Sequence, residues 1–289
     1  MAQATETSSI VIRDIETVSA IREVESLEKE VWGCDDRDIV PLTALIAIRE
    51  VGGILIGAFD GPTLVGFAFG FVGREEGEIV HHSHMLAVKP THRSHNLGYR
   101  LKLAQREHAL EQGIKRMTWT FDPLQSLNAH FNFGKLGVLS DRYKVDFYGE
   151  VTSSPLHQLG TDRLWVSWLL DTPRVRERVE QNLAPHYDSD GETLIRCSDT
   201  NQPLRVAKVA EIVENAGTAT IEIPDDINSI ERADPNLARQ WRDETRHTFS
   251  EALSAGFVVK DFFRQNGDGR TVGVYVLEEG KLDDFSGST

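Results

Sequence analysis

Glu78-Ile-Val-His-His-Ser-His-Met-Leu-Ala-Val-Lys-Pro-Thr-His-Arg-Ser-His-Asn-Leu-Gly-Tyr-Arg-Leu-Lys102 reads as a strand ending at Val88, a tight basic loop, and a helix that starts near Gly98. The next segment, Arg116 to Gly137, reads as another strand and another helix. Where a strand ends and a helix begins, orphan backbone N–H groups and the helix dipole together favour a negatively charged group. The expectation is a β-loop-α-β-α unit that binds a phosphorylated cofactor and does its chemistry where the two strands end.

Working outward from that unit gives an ordered plan. Ser9 to Asp14 is a short strand, and Glu16 to Trp32 carries Val18, Ile21, Val24, Leu27 and Val31 at the spacings of an amphipathic helix. A second helix runs from Pro41 to about Glu50. Ile54–Phe59 and Thr63–Val72 flank Asp60-Gly61-Pro62 as a hairpin. After the helix of Gly98 to Gln112, Gly113 is a stop signal. Met117 to Asp122 is a fifth strand, Leu124 to Leu136 a helix, and Tyr143–Val151 and Arg163–Leu170 two further strands joined by a loop at 152–161. This order is an α+β plan around one mixed sheet flanked by helices.

From Asp171 the texture changes. A charged helix follows Thr172-Pro173, and His186 to Glu192 is a polar linker. Leu194–Ser198, Thr218–Ile223, Phe257–Phe263 and Thr271–Leu277 read as strands around a long helix, Asn236–Ala255. The expected division is a loose tail at 1–9, a first domain at 10–170, and a smaller α+β region at 171–289, with residues 283–289 frayed.

Composition removes several classes of function. No run of eighteen apolar residues spans a membrane, and residues 1–9 lack the apolar core of a signal peptide. Two cysteines, Cys34 and Cys197, make neither a disulfide framework nor a zinc site, so the expected compartment is the cytoplasm and no metal is expected. A formal charge of −14 argues against nucleic acid as a partner. Against that background, Ile79 to Arg106 holds no Asp or Glu, where the chain-wide frequency would place roughly four. The same window holds Lys89, Arg93, Arg100, Lys102 and Arg106. Such an island suggests one specific anion; a solvated helix face is the plainer alternative.

Within the loop, Gly98 permits close approach of a ligand, and Asn96 can take the left-handed conformation that glycine otherwise supplies. The pattern from Ala87 to Leu101 resembles motif A of the GNAT superfamily of acyl-CoA-dependent N-acyltransferases, whose loop reads Arg/Gln-x-x-Gly-x-Gly/Ala after a strand. Arg93 and Gly98 match, and Asn96 replaces the first glycine. Asn128-Ala129 and Lys135-Leu-Gly137 are similar to that family's Asn-x-x-Ala helix and its Lys-Leu-Gly-Phe end, with Val138 in place of phenylalanine and the Asn spacing shifted. The order of elements from Ile10 to Leu170 fits too. With its C-terminal extension, the layout resembles a group known only as predicted acetyltransferases of this superfamily.

The resemblance implies acetyl-CoA or another acyl-CoA as co-substrate. Its diphosphate would lie on Arg93, Ser94, His95, Asn96, Leu97 and Gly98, with Tyr99 adjoining, and its pantetheine along Leu86, Ala87 and Val88. Asn128 would be a further contact, and the strands ending at Val88 and Asp122 would splay apart. A nucleotide site is the alternative for the loop, but the Lys-Ser/Thr end of a P-loop is absent.

An amine that attacks a thioester must be neutral, and the leaving thiolate benefits from a proton. His82 and His84, two apart on a strand, project from one face and are the candidate proton carriers; the plainer alternative is that one or both are packed, hydrogen-bonded sheet histidines. A similar pair occurs in arylalkylamine N-acetyltransferases. Asp122 is a candidate base or ammonium holder, or else a helix cap. The family's helix tyrosine falls at Phe133, which has no proton to give; Tyr143, Tyr148 or water would substitute. Trp32, Asp35 and Asp36, with Arg37, lie where this fold roofs its acceptor pocket, and two carboxylates beside an indole suit a cationic or amino-acid substrate. Cys34 is structural, because direct attack in a ternary complex needs no covalent nucleophile.

The expectation is therefore an N-acyltransferase that moves acetyl, or a related short acyl group such as succinyl, to the primary amine of a small molecule. The alternative is a CoA-binding regulatory or scaffold module without catalysis. The C-terminal region would close the acceptor site or support a homodimer.

Overall fold

The computed structural model describes residues 10–149, 158–183, 191–210, 217–267 and 270–285. The expected tail at 1–9, most of the 152–161 loop and of the 186–192 linker, residues 268–269, and residues 286–289 lie outside the described residues. The fold is α+β, with mixed pleated structure flanked by helices, and it comprises two compact units. One is residues 1–117 with 152–158; the other is 118–151 with 159–289.

The first unit carries strands β1 (Val11–Asp14), β2 (Ile54–Asp60), β3 (Thr63–Glu75) and β4 (Glu78–Val88), all antiparallel to their neighbours in that order. Strand β3 runs three residues past its expected end and turns at Glu76-Gly77, both at positive φ. Helix α1 (Val18–Trp32) starts because the Thr17 hydroxyl accepts the Ala20 N–H at 3.2 Å, and stops where Gly33 turns left-handed and bonds the Lys29 carbonyl. Its Ile21, Val24 and Leu27, with Leu45 of α2 (Leu42–Glu50), pack on Phe67 and Phe69 of β3. Alternate β3 residues are small, Gly66, Ala68 and Gly70, and Gly66 lies against Leu101 of helix α3 (Leu97–Glu111). A Cβ at Gly70 would fall 2.3 Å from the His81 ring, so only glycine fits there.

The second unit holds β5 (Arg116–Phe121, of which Arg116 and Met117 belong to the first unit), α4 (Ser126–Ala129) and the strands β6 (Leu139–Lys144) and β7 (Arg163–Leu169). The region after residue 171 adds α5 (Pro173–Val179), β8 (Glu192–Cys197), β9 (Pro203–Arg205), β10 (Thr218–Pro224), α6 (Ile227–Ala233), α7 (Pro235–Ser254), β11 (Phe257–Gly267) and β12 (Arg270–Glu279). Spatial order in this unit is β5-β7-β6-β11-β12-β10-β8-β9, and the β10–β8 pair is parallel.

Several boundaries differ from expectation for physical reasons. The helix expected over 124–136 is α-helical only to Ala129 and π-helical from His130 to Leu136. The strand expected at 143–151 lies instead at 139–144, because Asp146 and Gly149, at positive φ, break it into turns. Short β9 and α6 had no periodicity long enough to be read. The core of the unit is aromatic: Tyr275 is fully buried and meets Phe133, Phe249 and Phe262 edge-on, with centroids 5.8, 5.1 and 4.7 Å away. Such pairs contribute about 0.5–1.5 kcal/mol each beyond the area they bury.

Candidate active site

The basic loop is a 3-10 turn, Pro90–His95, and Asn96 follows at φ +54° before α3 begins at Leu97. Asn96 thus does what glycine does elsewhere, at the small cost its short polar side chain allows. Its side chain makes no cap to α3, and the first turn of that fifteen-residue helix has no acidic residue, so the helix itself supplies no anion to the positive end of its dipole. A Cβ at Gly98 would meet only Leu86 Cδ2, at 3.5 Å, an ordinary contact. The protein itself leaves that space open, and the residues here fit the diphosphate of an acyl-CoA. Leu97 is buried; Arg93, His95 and Asn96 are exposed; Tyr99 is half-buried and its hydroxyl is pushed up by desolvation. The Ser94 side chain lies outside the described residues.

The positive island does not survive as a patch. Lys89 pairs with Glu30 at 3.1 Å, and the Arg100 guanidinium bonds the Ile10 carbonyl at 2.8 Å. Lys102 is buried behind β4, where its Nζ donates to Ser83 Oγ at 2.7 Å; Ser83 Oγ donates on to Gln105 Oε1 at 2.8 Å, and Gln105 Nε2 lies 3.3 Å from His81 Nε2. Desolvation drives the Lys102 pKa well down, and burial takes His81 to about 3. Arg93 is the cation left at the loop itself, with Nε 3.4 Å from the Val88 carbonyl.

Strand β4 is irregular at His84. Phe69 opposes Met85 and Gly70 opposes Ser83, so His84 is the extra residue of a β-bulge. The His84 and His82 rings lie together: Phe71 lies 5.4 Å from His82 and 5.9 Å from His84, and the two imidazoles are 6.3 Å apart. His84 is exposed as a whole residue, but its ring packs on Phe69 and Phe71 at 6.3 and 5.9 Å; His82 is half-buried. Burial lowers His82 to about 4, with His84 and Lys102 adding to the effect, and lowers His84 as well. Both are neutral at pH 7, able to accept a proton and poor at keeping one. Downstream, Leu86 is half-buried while Ala87 and Val88 are buried.

In the segment between α1 and α2, the carboxylates are already accompanied. Lys29 meets Asp36 at 2.6 Å and Arg37 lies 3.7 Å from Asp35, all well exposed. Trp32 is half-buried edge-on to Phe67 at 6.1 Å. Burial raises the Cys34 thiol pKa, which makes it a weak nucleophile. One titratable residue here escaped sequence reasoning: Glu28 is 1% exposed, and desolvation raises it to about 7.

In the second unit, Asp122 ends β5 with both oxygens engaged. Oδ1 accepts the Leu124 N–H at 3.0 Å, a turn bond ahead of α4, whose N-cap is Gln125, and Oδ2 accepts from Arg242 of α7 at 2.8 Å. Asn128 is exposed on α4. Tyr143 donates to Asp162 at 2.7 Å and its pKa rises well above normal through burial, whereas Tyr148 is exposed, with its hydroxyl 3.4 Å from Thr120 Oγ1. Among the described residues no helix is long and apolar enough to cross a membrane, and no group of three metal-binding side chains occurs.

Residues 18–137 match the family model described as the Acetyltransferase (GNAT) family. These residues are a GNAT acetyltransferase domain. The match spans less than half of the sequence. The chain is similar to the ribosomal-protein-S18-alanine N-acetyltransferase from Escherichia coli, at 11% identity over 56% of this chain and 94% of that one, with a TM-score of 0.45. Aminoglycoside 6'-acetyltransferase type Ii is similar at 15% identity over 55% and 97%, TM-score 0.44. Naa50 of Arabidopsis thaliana, in complex with the bisubstrate analogue CoA-Ac-MVNAL, is similar at 14% identity over 55% and 97%, TM-score 0.44. No curated protein matches the sequence.

The GNAT domain contains the loop, both histidines, Asp122, Asn128 and Phe133; Arg242 and Tyr275 lie outside it. Phe133, at the family's tyrosine position, is fully buried against Phe121 and Tyr275. Gln105 escaped notice and Lys102 was counted only with the basic island, although the Leu101, Gln105, Ala109 spacing marks the buried face of α3. Arg242 and Tyr275 carried no local signal for this corner, since Asp122 and Pro123, which they bond, lie 120 and 152 residues away in sequence.

Proposed function

We propose that this GNAT enzyme transfers an acetyl or related short acyl group, such as succinyl, from acyl-CoA to the primary amine of a small molecule, an amino acid being the favoured class. The observation that carries the reading is the uncapped start of α3 behind a left-handed Asn96, with open space at Gly98. Arg93 to Tyr99 would hold the diphosphate, Leu86 to Val88 the pantetheine, and Asn128 a further part of CoA. Acyl-CoA brings the activated carbonyl. The amine nitrogen bonds to that carbon, the C–S bond breaks, and the ammonium proton leaves to water or to neutral His84, with His82 beside it. Water returns a proton to the thiolate. Trp32, Asp35 and Asp36 would border the acceptor.

The domain at 10–170, its extension at 171–289, and a reduced, cytoplasmic setting belong to the same proposal; both cysteines are free. A second reading, a CoA-binding module without catalysis, is favoured by the packed Phe133. Free-thiol release, with acetyl-CoA and succinyl-CoA offered across a panel of amines and amino acids, separates the two. Saturable release supports transfer. CoA binding without release across the panel would leave only the second reading.

A further inference from the structure

The corner where β5 becomes α4 is held residue by residue from the far end of the chain. Asp122 Oδ2 accepts from Arg242 of α7 at 2.8 Å. The Pro123 carbonyl accepts from the Tyr275 hydroxyl of β12 at 2.7 Å. Gln125 and Asn228 of α6 exchange two amide bonds at 3.1 Å, and Ser126 Oγ donates to Asp225 at 3.2 Å. Asp225 is in turn gripped by both ends of the Arg264 guanidinium at 2.8 Å. Leu124, the one residue of this run without such a bond, is fully buried and donates to Asp122.

These bonds are placed where they fix backbone direction. The Asp122 carboxylate links Arg242 to the first amide after Pro123. Pro123 has its φ set by its ring, and Tyr275 fixes the orientation of the peptide plane that follows. With those two settled, the start of α4 has little freedom, and Asn128 projects from it. Tyr275 and Arg242 are among the most buried polar side chains in the unit, so neither can touch a substrate directly.

We propose that Arg242 and Tyr275 are positioning residues for acyl transfer, acting through Asp122 and Pro123 to fix the β5–α4 corner. The region after residue 171 is then part of the catalytic framework, not an appended module. This rests on the acyl-transfer reading above.

The test compares full-length wild type with Tyr275→Phe, Arg242→Met and a control, Ser140→Ala. The control removes a bond of the same kind, Ser140 Oγ to the Trp165 carbonyl at 2.8 Å, away from the corner. Two readouts are taken: amide hydrogen exchange at residues 124–129, and steady-state acyl transfer. Tyr275→Phe and Arg242→Met should speed exchange there about tenfold. They should also lower kcat by about 10- to 100-fold, with KM for the amine little changed, as sub-ångström misplacement does. Ser140→Ala should do neither. Tyr275→Phe keeps the ring and carries the test even if Arg242→Met does not fold. Unchanged exchange at the corner in Tyr275→Phe would overturn the brace. Faster exchange with unchanged kcat would reduce it to a purely structural contact. Wild type that releases no thiol on any amine would overturn the functional reading, and the positioning role with it, whatever the exchange shows.

Discussion

Glu28, on the buried side of α1, accepts the Val40 amide at 2.9 Å with Oε2 while Oε1 has no partner. One turn earlier, Glu25 takes the Leu42 amide at 2.6 Å, so two carboxylates tie α1 to the entry of α2. Desolvation raises Glu28 from 4.5 to about 7, which means the folded state binds a proton that the unfolded state has lost between those values. Glu28 therefore weakens the fold as pH rises from about 4.5 to 7. Glu28→Gln keeps an acceptor for Val40 and removes the charge. It should stabilise the protein at pH 8 by about 1–2 kcal/mol and change little at pH 4.5, measured by urea unfolding at the two values. Equal effects at both pH values would contradict this account.

Lys102 gives a second linkage, on the basic side. Its folded pKa lies well below 10.5, so the unfolded chain holds the extra proton and stability rises with pH toward 10.5. Lys102→Met keeps the length and leaves Ser83 bonded to Gln105. Replacing a buried amine by a packed apolar chain should be neutral or stabilising by about 1 kcal/mol at pH 7. The variant should also lose the rise in stability between pH 7 and 10, read from thermal unfolding in that range.

Asn96 separates backbone from cofactor. Asn96→Gly suits φ +54° and should leave stability within about 0.5 kcal/mol of wild type, with acyl-CoA affinity kept. Asn96→Val places a β-branched residue in the left-handed region, at about 1–2 kcal/mol. It should weaken CoA binding by calorimetry at least as much as it weakens the fold. Normal CoA affinity in a folded Asn96→Val protein would remove this loop from the site.

His84→Ala tests the proton path. If His84 accepts the amine proton, kcat should fall about 10²- to 10⁴-fold while CoA affinity is unchanged. Because burial holds His82 near 4 and lowers His84 too, wild-type kcat should show no inflection from either imidazole between pH 7 and 8. A histidine-dependent inflection there, lost in His84→Ala, would contradict the lowering, since even a fully solvated imidazole titrates near 6.5.

The sequence by itself determined the elements and the loop. Period-four apolar residues in α1, the turn residues around β2 and β3, and the Val88–Gly98 transition are local signals, set by backbone geometry within one or two turns of chain. The same locality carried the likeness to GNAT enzymes and marked Phe133 as a departure. Tertiary structure decided what the side chains do. Lys102 and Arg100, part of a basic island in sequence, are withdrawn by burial and by the Ile10 carbonyl; the bulge at His84 exists only in the pairing with Phe69 and Gly70. Glu28 is tuned by desolvation, and Asp122 is engaged by Arg242, 120 residues on. Desolvation and long-range pairing depend on what the folded chain brings near, and neither has a period to read.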